Sequence, residues 1–214
     1  LEPEETPPYG GRAGEAPPPS PRLAAFWRAL QRYADDVRIP EFEVSLEVTH
    51  HGPWQHGPAA FLEVGSTAAT WAHAGAAEVW ADVLLDVLRH ELEGGRAPNE
   101  PSHVPVLVTL GGGHYAPRGN AMAGQDGALL GHMLANHSLP FSRMDDGRVQ
   151  GRWSHAINTA IEATRAAHPD RTMVISFDRK SFRGWERRAL FEHLEAIGVH
   201  VVDSAEHASM LQDA

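Results

Sequence analysis

Val104-Pro105-Val106-Leu107-Val108-Thr109-Leu110-Gly111-Gly112-Gly113-His114-Tyr115 is the stretch that decides the fold of this 214-residue chain. The run from Val104 to Leu110 is apolar and rich in β-branched residues, with no polar alternation. That is the pattern of a strand covered on both faces, as in a parallel sheet between helices. The three glycines that follow permit positive φ and a close approach of backbone to ligand, so His114 is delivered just past the C-terminal end of a central strand. Open α/β sheets bind their ligands at that end. A tight turn followed by an ordinary surface histidine fits the same residues, and the rest of the chain must decide between the two.

Upstream, the spacing of Leu23, Phe26, Leu30, Tyr33 and Val37 predicts an amphipathic helix over 21–37, capped by Ser20 and ended by Pro40. Residues 41–48 alternate strictly, with Phe42, Val44, Leu46 and Val48 on one side and Glu41, Glu43, Ser45 and Glu47 on the other, which predicts a strand with one packed face. It runs into Thr49-His50-His51-Gly52-Pro53. On a persisting pleat the two histidines point to opposite sides, so at most one joins a given site. A short strand is expected at 60–65. Ser66-Thr67 then lead into a helix from about 69 to 93, stopped by Gly94-Gly95. Gly-Ser-Thr between strand and helix is a natural cap and equally a natural anion site.

Downstream, a loop with Gly119, Gly124 and Gly127 leads to a strand at 128–134. A helix at 151–168, a strand at 172–177, a helix carrying Phe182, Trp185, Ala189 and Ile197, and a last strand at 199–202 complete the reading. Strands alternating with helices give an α/β layered fold, with a mostly parallel central sheet and helices on both faces. The Pro-rich residues 1–21 form an extended arm, and 22–214 form one domain with a single core.

With no cysteine, any metal must be held by His, Asp or Glu, and fourteen histidines are available. No apolar run approaches the ~20 residues of a membrane span, so a soluble, cytoplasmic chain is expected, monomeric by default. A net charge of −10 argues against non-specific coating of nucleic acid. A local basic patch does exist: residues 178–188 hold five of the eighteen basic residues. Among them Lys180 is the lone lysine, a candidate for a role needing a compact ammonium. Arg183 and Arg187 share a helical face that suits a phosphate-bearing ligand such as the end of an RNA; a solvated helix with salt bridges fits equally. There is no H-E-x-x-H, no G-x-S-x-G and no P-loop lysine.

Taken together, Thr49-His50-His51-Gly52-Pro53, Glu63-Val64-Gly65-Ser66-Thr67 with Trp71, Gly112-Gly113-His114-Tyr115-Ala116-Pro117-Arg118, Gly131-His132 and Asp178-Arg179-Lys180-Ser181 resemble the archaeal and plant type of D-aminoacyl-tRNA deacylase. The resemblance covers nearly the whole chain. It departs at Ala68-Ala69 and at Gly119-Asn120-Ala121, where the family usually carries an acidic residue and a Thr/acidic pair. What it implies is hydrolysis of the ester between a D-amino acid and the 3′-terminal ribose of tRNA, an association with zinc, and a fold related to peptidyl-tRNA hydrolases and nucleoside phosphorylases. The family also has an N-terminal portion ahead of the part matching residues 1–40, which is expected to be absent here.

The candidate site is then His51, His114 and Lys180 for chemistry, with His51, His114 and His132 as metal ligands. Gly112, Gly113, Tyr115, Ser66, Thr67, Arg118, Arg183 and Arg187 would contact substrate. The histidines could serve as zinc ligands or as the base that activates water. A tRNA- or nucleotide-binding module without catalysis, and a metal-dependent hydrolase of a small ester or amide, are the alternatives.

Overall fold

The structure, a computed structural model, describes residues 10–12, 14–50, 53–65, 67–92 and 103–212. In chain order the helices are α1 (Leu23–Gln31), α2 (Ala74–Leu92), α3 (Pro117–Ala123), α4 (Trp153–Ala167), α5 (Gly184–Ala196) and α6 (Ser204–Gln212). The strands are β1 (Val106–Leu110), β2 (Leu129–Leu134), β3 (Ser142–Arg143), β4 (Val149–Gln150), β5 (Met173–Phe177) and β6 (His200–Val201).

β1 lies inside a four-stranded sheet of order β2-β1-β5-β6 whose pairings are all parallel. Every residue of β1 and of β5 is buried, because helices cover both faces. Val108, Leu110, Ile175 and Phe177 meet Ile157 and Ile161 of α4 and Leu190 and Leu194 of α5. Leu107 and Val174, of opposite parity, meet Met122 of α3 and Met210 of α6. The chain leaves β1 toward β2 on one side and leaves β5 toward β6 on the other, so the direction of winding reverses between the C-terminal ends of β1 and β5. Doubly wound sheets bind ligands at such a reversal.

Several expectations need correction. The helix expected over 21–37 ends at Gln31, because Asp36 accepts the Arg38 N–H at 2.8 Å and its guanidinium at 3.0 and 2.9 Å, building a tight turn instead of a last helical turn. Val37 is consequently 91% exposed rather than packed. Residues 41–48 keep the expected faces, with Val48 buried and Val44 and Leu46 partly so, but they form no strand. In place of a ladder, Leu46 bonds the Asn120 side chain, and the N–H groups of Phe42 and Val48 donate to the carbonyls of Ile39 and His114. Residues 60–65 also lie outside any strand; the one bridge there pairs Pro19 with Ala59. α2 starts at Ala74 rather than near 69, and Gly94-Gly95 lie outside the described residues.

The stretch read as a glycine-rich loop contains α3. Gly119 belongs to the helix because a Cβ there would stand 2.6 Å from Met133 Cε and 2.9 Å from Thr109 Oγ1; only glycine lets α3 sit this close to the sheet. Pro117 at its first turn suits a helix start. The β3–β4 hairpin and α6 were not expected. The described part of the Pro-rich arm is tied down: Ser20 N–H donates to Ala59 O at 2.9 Å, Ala59 N–H to Pro18 O at 2.9 Å, and Trp54 N–H to Gly10 O at 2.9 Å.

Candidate active site

At the reversal point the ends of β1 and β5 are bonded to each other. Gly111 and Gly112 take φ of +95° and +82°, which only glycine adopts freely. Gly112 N–H donates to Ser181 Oγ at 2.7 Å, and Ser181 O–H donates to Asp178 Oδ2 at 2.8 Å. Asp178 Oδ1 accepts the Lys180 backbone N–H at 3.1 Å, and Asp178 N–H reaches back to Leu110 O at 2.8 Å. Phe182 fills the space beside Gly111, where a Cβ would come within 2.7 Å of the ring. The loop after β1 is therefore held from the β5 side by a carboxylate, a hydroxyl and an aromatic ring.

His114 leaves this loop on the other side and meets the extended segment before residue 50. Its Nε2 is 3.1 Å from Glu47 Oε2, and His50 Nε2 is 3.5 Å from the same oxygen. The two imidazoles contact edge to face with centroids 4.6 Å apart, and His114 also meets the Tyr115 ring at 4.9 Å. Ligand-type atoms of Glu47, His50 and His114 lie within 4.8 Å of one another, the one such three-residue group among the described residues. His50 Nδ1–H donates to Val48 O at 2.7 Å, which leaves the Nε2 lone pair facing the cluster.

Asn120 positions the acidic member. Its Oδ1 accepts Leu46 N–H at 2.8 Å, while its Nδ2 donates to Leu46 O at 3.0 Å and to Tyr115 O at 2.6 Å. Val48 N–H donates to His114 O at 3.0 Å and Thr49 N–H to Met133 O at 2.7 Å. One α3 side chain, one loop carbonyl and one β2 carbonyl thus fix residues 46–49 against the β1 loop and the end of β2.

Of the residues singled out in the sequence, Gly112, Gly113, His114 and Tyr115 come together at this edge, with Tyr115 53% exposed and open space around Gly113. Lys180 is exposed in the turn after β5. Arg118 is exposed on α3; the Asp203 pKa is lowered chiefly by the hydrogen bonds it accepts from Glu206 and Ala205 N–H, and Arg118 adds a smaller pull in the same direction. Thr67 sits in a turn with Thr70, away from the cluster in its hydrogen bonding. Arg183 precedes α5, and Arg187 Nη1 caps the carbonyls of Arg179 at 3.0 Å and Phe182 at 2.8 Å. His51 and Ser66 lie outside the described residues.

His132 stands apart from the His114 cluster. It is 5% exposed on β2, with both ring nitrogens engaged: Nε2–H donates to Pro17 O at 3.1 Å, and Nδ1 accepts from Thr49 O–H at 2.9 Å. Burial pushes its pKa down to about 4, against the opposing pull of the Pro17 carbonyl, so it is a neutral strut. Sequence reasoning missed Glu47, His50 and Asn120. Glu47 was visible as the polar residue three before His50, but a straight pleat would have separated them; the bend at Thr49 does not.

Beside the cluster a cleft of about 810 Å³ opens between the arm, α1 and residues 41–50 and 53–65, with Glu47, Thr49, His50 and Tyr115 on its wall. Among the described residues no helix is long and apolar enough to cross a membrane.

Comparison with known proteins agrees with this architecture. A crystal structure described as the conserved protein of unknown function AF0625 superposes with a TM-score of 0.71 at 29% identity, over 95% of this chain and 64% of that one. An Arabidopsis thaliana D-aminoacyl-tRNA deacylase is 37% identical over 94% of this chain and 67% of its own length. The Archaeoglobus fulgidus protein of the same name is 32% identical over 92% of this chain and 62% of its own. The chain thus spans about two thirds of the length of these relatives. The family description that matches residues 2–202, almost the whole of what has been described above, reads D-aminoacyl-tRNA deacylase, and to that family this chain belongs.

Proposed function

We propose that the protein hydrolyses the ester joining a D-amino acid to the 3′-terminal ribose of tRNA, in the cytoplasm. The observation that carries this reading is the pairing of His114 with Glu47 beyond the end of the central strand, on the rim of the 810 Å³ cleft. The Glu47 carboxylate accepts the His114 Nε2 proton and orients the ring, so Nδ1 is the nitrogen left to take a proton from water. The water oxygen then bonds to the ester carbonyl carbon, the bond from that carbon to the ribose oxygen breaks, and the ribose oxygen receives a proton. The products are a free D-amino acid and tRNA with its terminal hydroxyl restored. General-base help of this kind is worth about 10² to 10⁴-fold, enough for a labile aminoacyl ester. The cleft would take the aminoacyl side chain, and Lys180 with Arg183 would face phosphate.

The donor set also fits zinc. Glu47, His50 and His114 offer one oxygen and two nitrogens, the three-protein-ligand arrangement of catalytic zinc, with the His50 ring oriented by Val48 O. Held there, zinc would supply a water of lowered pKa.

The test is release of amino acid from D- and L-aminoacyl-tRNA, followed together with metal content after dialysis without chelator. D-selective release that falls about 10²-fold or more in His114→Ala, with folding intact, is the expected result. Equal turnover of both enantiomers, or an unaffected His114→Ala, would overturn the reading. Binding of tRNA without any release would identify a non-catalytic module instead.

A further inference from the structure

A second cleft, of about 470 Å³, lies on the α4/α5 face of the sheet and takes no part in the site described above. It sits between the β3–β4 hairpin and α5. Trp153, 7% exposed, is among its lining residues, Trp185 stands half-buried on its wall, and Arg143, Arg148 and Arg188 line its mouth. Arg148 is held by Asp146, whose carboxylate takes its Nε at 2.6 Å and its backbone N–H at 3.0 Å. Arg143 and Arg188 are exposed and have no carboxylate partner among the described residues. His193 is tied to Asn158 at 2.8 Å, and burial lowers its pKa. Glu192 is the single carboxylate in the lining.

Three guanidinium groups around two indoles are unusual on a chain of net charge −10. Guanidinium suits phosphate oxygens, and an accessible indole face suits a base or ribose. The place also matters. The hairpin follows the C-terminal end of β2, and α5 follows that of β5, so the cleft lies at the same edge of the sheet as the Gly111–His114 loop. A line of rings joins them: Phe182 packs on Gly111, Phe141 meets Phe182 at 6.1 Å, and Phe141 stacks on Trp153 at 4.7 Å and meets Trp185 at 6.1 Å.

We propose that this cleft binds the polynucleotide of the substrate, with phosphates on Arg143, Arg148 and Arg188 and an unpaired base or ribose against Trp185. The proposal rests on the tRNA reading above and assigns it a surface. The ester reaches His114 while the nucleic acid is gripped along the hairpin and α5. Phe182, two residues before α5, packs against Gly111, so the segment leading into the cleft's α5 wall touches the loop that carries His114.

The experiment compares the parent protein with Arg143→Glu/Arg188→Glu and with Arg165→Glu, a control at the far end of α4. Uncharged tRNA is titrated by tryptophan fluorescence from 50 to 200 mM salt, and deacylation is measured alongside. The expected outcome is binding weakened at least tenfold in the double variant, with a log–log salt slope shallower by about 1.4 to 1.8 for two lost phosphate contacts. Deacylation should show a raised KM at nearly unchanged kcat, and Trp185→Phe should lose the fluorescence change. Arg165→Glu should leave all of these as in the parent. Parent-like affinity and slope in the double variant, or equal loss in Arg165→Glu, would overturn the proposal. A milder Arg143→Ala/Arg188→Ala pair serves if the reversed charges disturb folding. If the parent binds tRNA here but releases no amino acid, the cleft stands and the catalytic reading falls. If the parent deacylates and the double variant matches it, the reverse holds.

Discussion

Neutral His132 joins β2 to both Thr49 and Pro17, and its burial makes the stability of the fold depend on pH in a calculable way. Its folded pKa is about 4, while an exposed histidine titrates near 6.5. A depressed pKa means that the neutral form is favoured by folding, so this contribution is fully present above pH 6.5 and is lost as pH falls toward 4. At about 1.4 kcal/mol per unit, the full loss is about 3.5 kcal/mol, of which roughly 2 kcal/mol is gone by pH 5. His168 and His207 are also lowered by burial and add slopes of their own, so the informative quantity is a difference between variants. His132→Gln keeps a donor for Pro17 but no longer accepts from Thr49. Near pH 7.5 it should be less stable than the parent by about 1 to 2 kcal/mol. Urea unfolding at pH 7.5, 6.5, 5.5 and 5.0 should show that gap narrowing on acidification by roughly 2 kcal/mol, and closing or reversing by pH 5. A gap that stays constant across this window would mean that His132 does not titrate with folding, and the buried neutral strut would have to be abandoned.

Three further outcomes are expected. Gly112→Ala places a Cβ 2.9 Å from Ala116 Cα at a φ of +82°, so it should destabilise by about 1 to 3 kcal/mol and lower turnover more than binding, as thermal unfolding and steady-state kinetics would show. Asn120→Ala removes three hydrogen bonds around Leu46 and Tyr115; it should loosen Glu47 from His114 and weaken zinc uptake along with turnover, and an unchanged metal affinity would show that residues 46–49 hold their place without it. Lys180→Arg conserves charge but cannot reproduce a compact ammonium, so it should impair turnover, whereas Arg187→Ala should mainly lower melting temperature by uncapping the 179–182 turn. Equal mild effects of that last pair would make the segment a solvated basic face.

The sheet and its two long flanking helices were legible because β1, β2, β5, α4 and α5 each bury a continuous apolar run or a clear helical stripe. What failed was decided by groups that periodicity does not count. Gly119 reads as a loop residue until Met133 and Thr109 are seen against it, and Gly131 has the same reason, since a Cβ there would meet Thr164 Cγ2 at 2.5 Å. Residues 41–48 alternate as a strand does, yet no neighbouring strand pairs with them, and Asn120 bonds Leu46 in its place. The candidate site was half visible. His114 was marked by its place after a buried strand and three glycines. His50 and Glu47 were not, because the parity of a straight pleat forbids the bend at Thr49 that unites them.

The position of β1 has a consequence for how the chain is made. Its partner on one side, β2, emerges soon after it, across α3 alone. Its partner on the other side, β5, is translated only after the hairpin and all of α4. Until then Val106–Leu110 offers a bare apolar edge, and a five-residue uncharged run of valine, leucine and threonine is what strands of other chains add to. A nascent chain that stalls between β2 and β5 is therefore more hazardous to its neighbours than one stopped before β1 or after Phe177. During synthesis the protein should draw on holding chaperones over that interval.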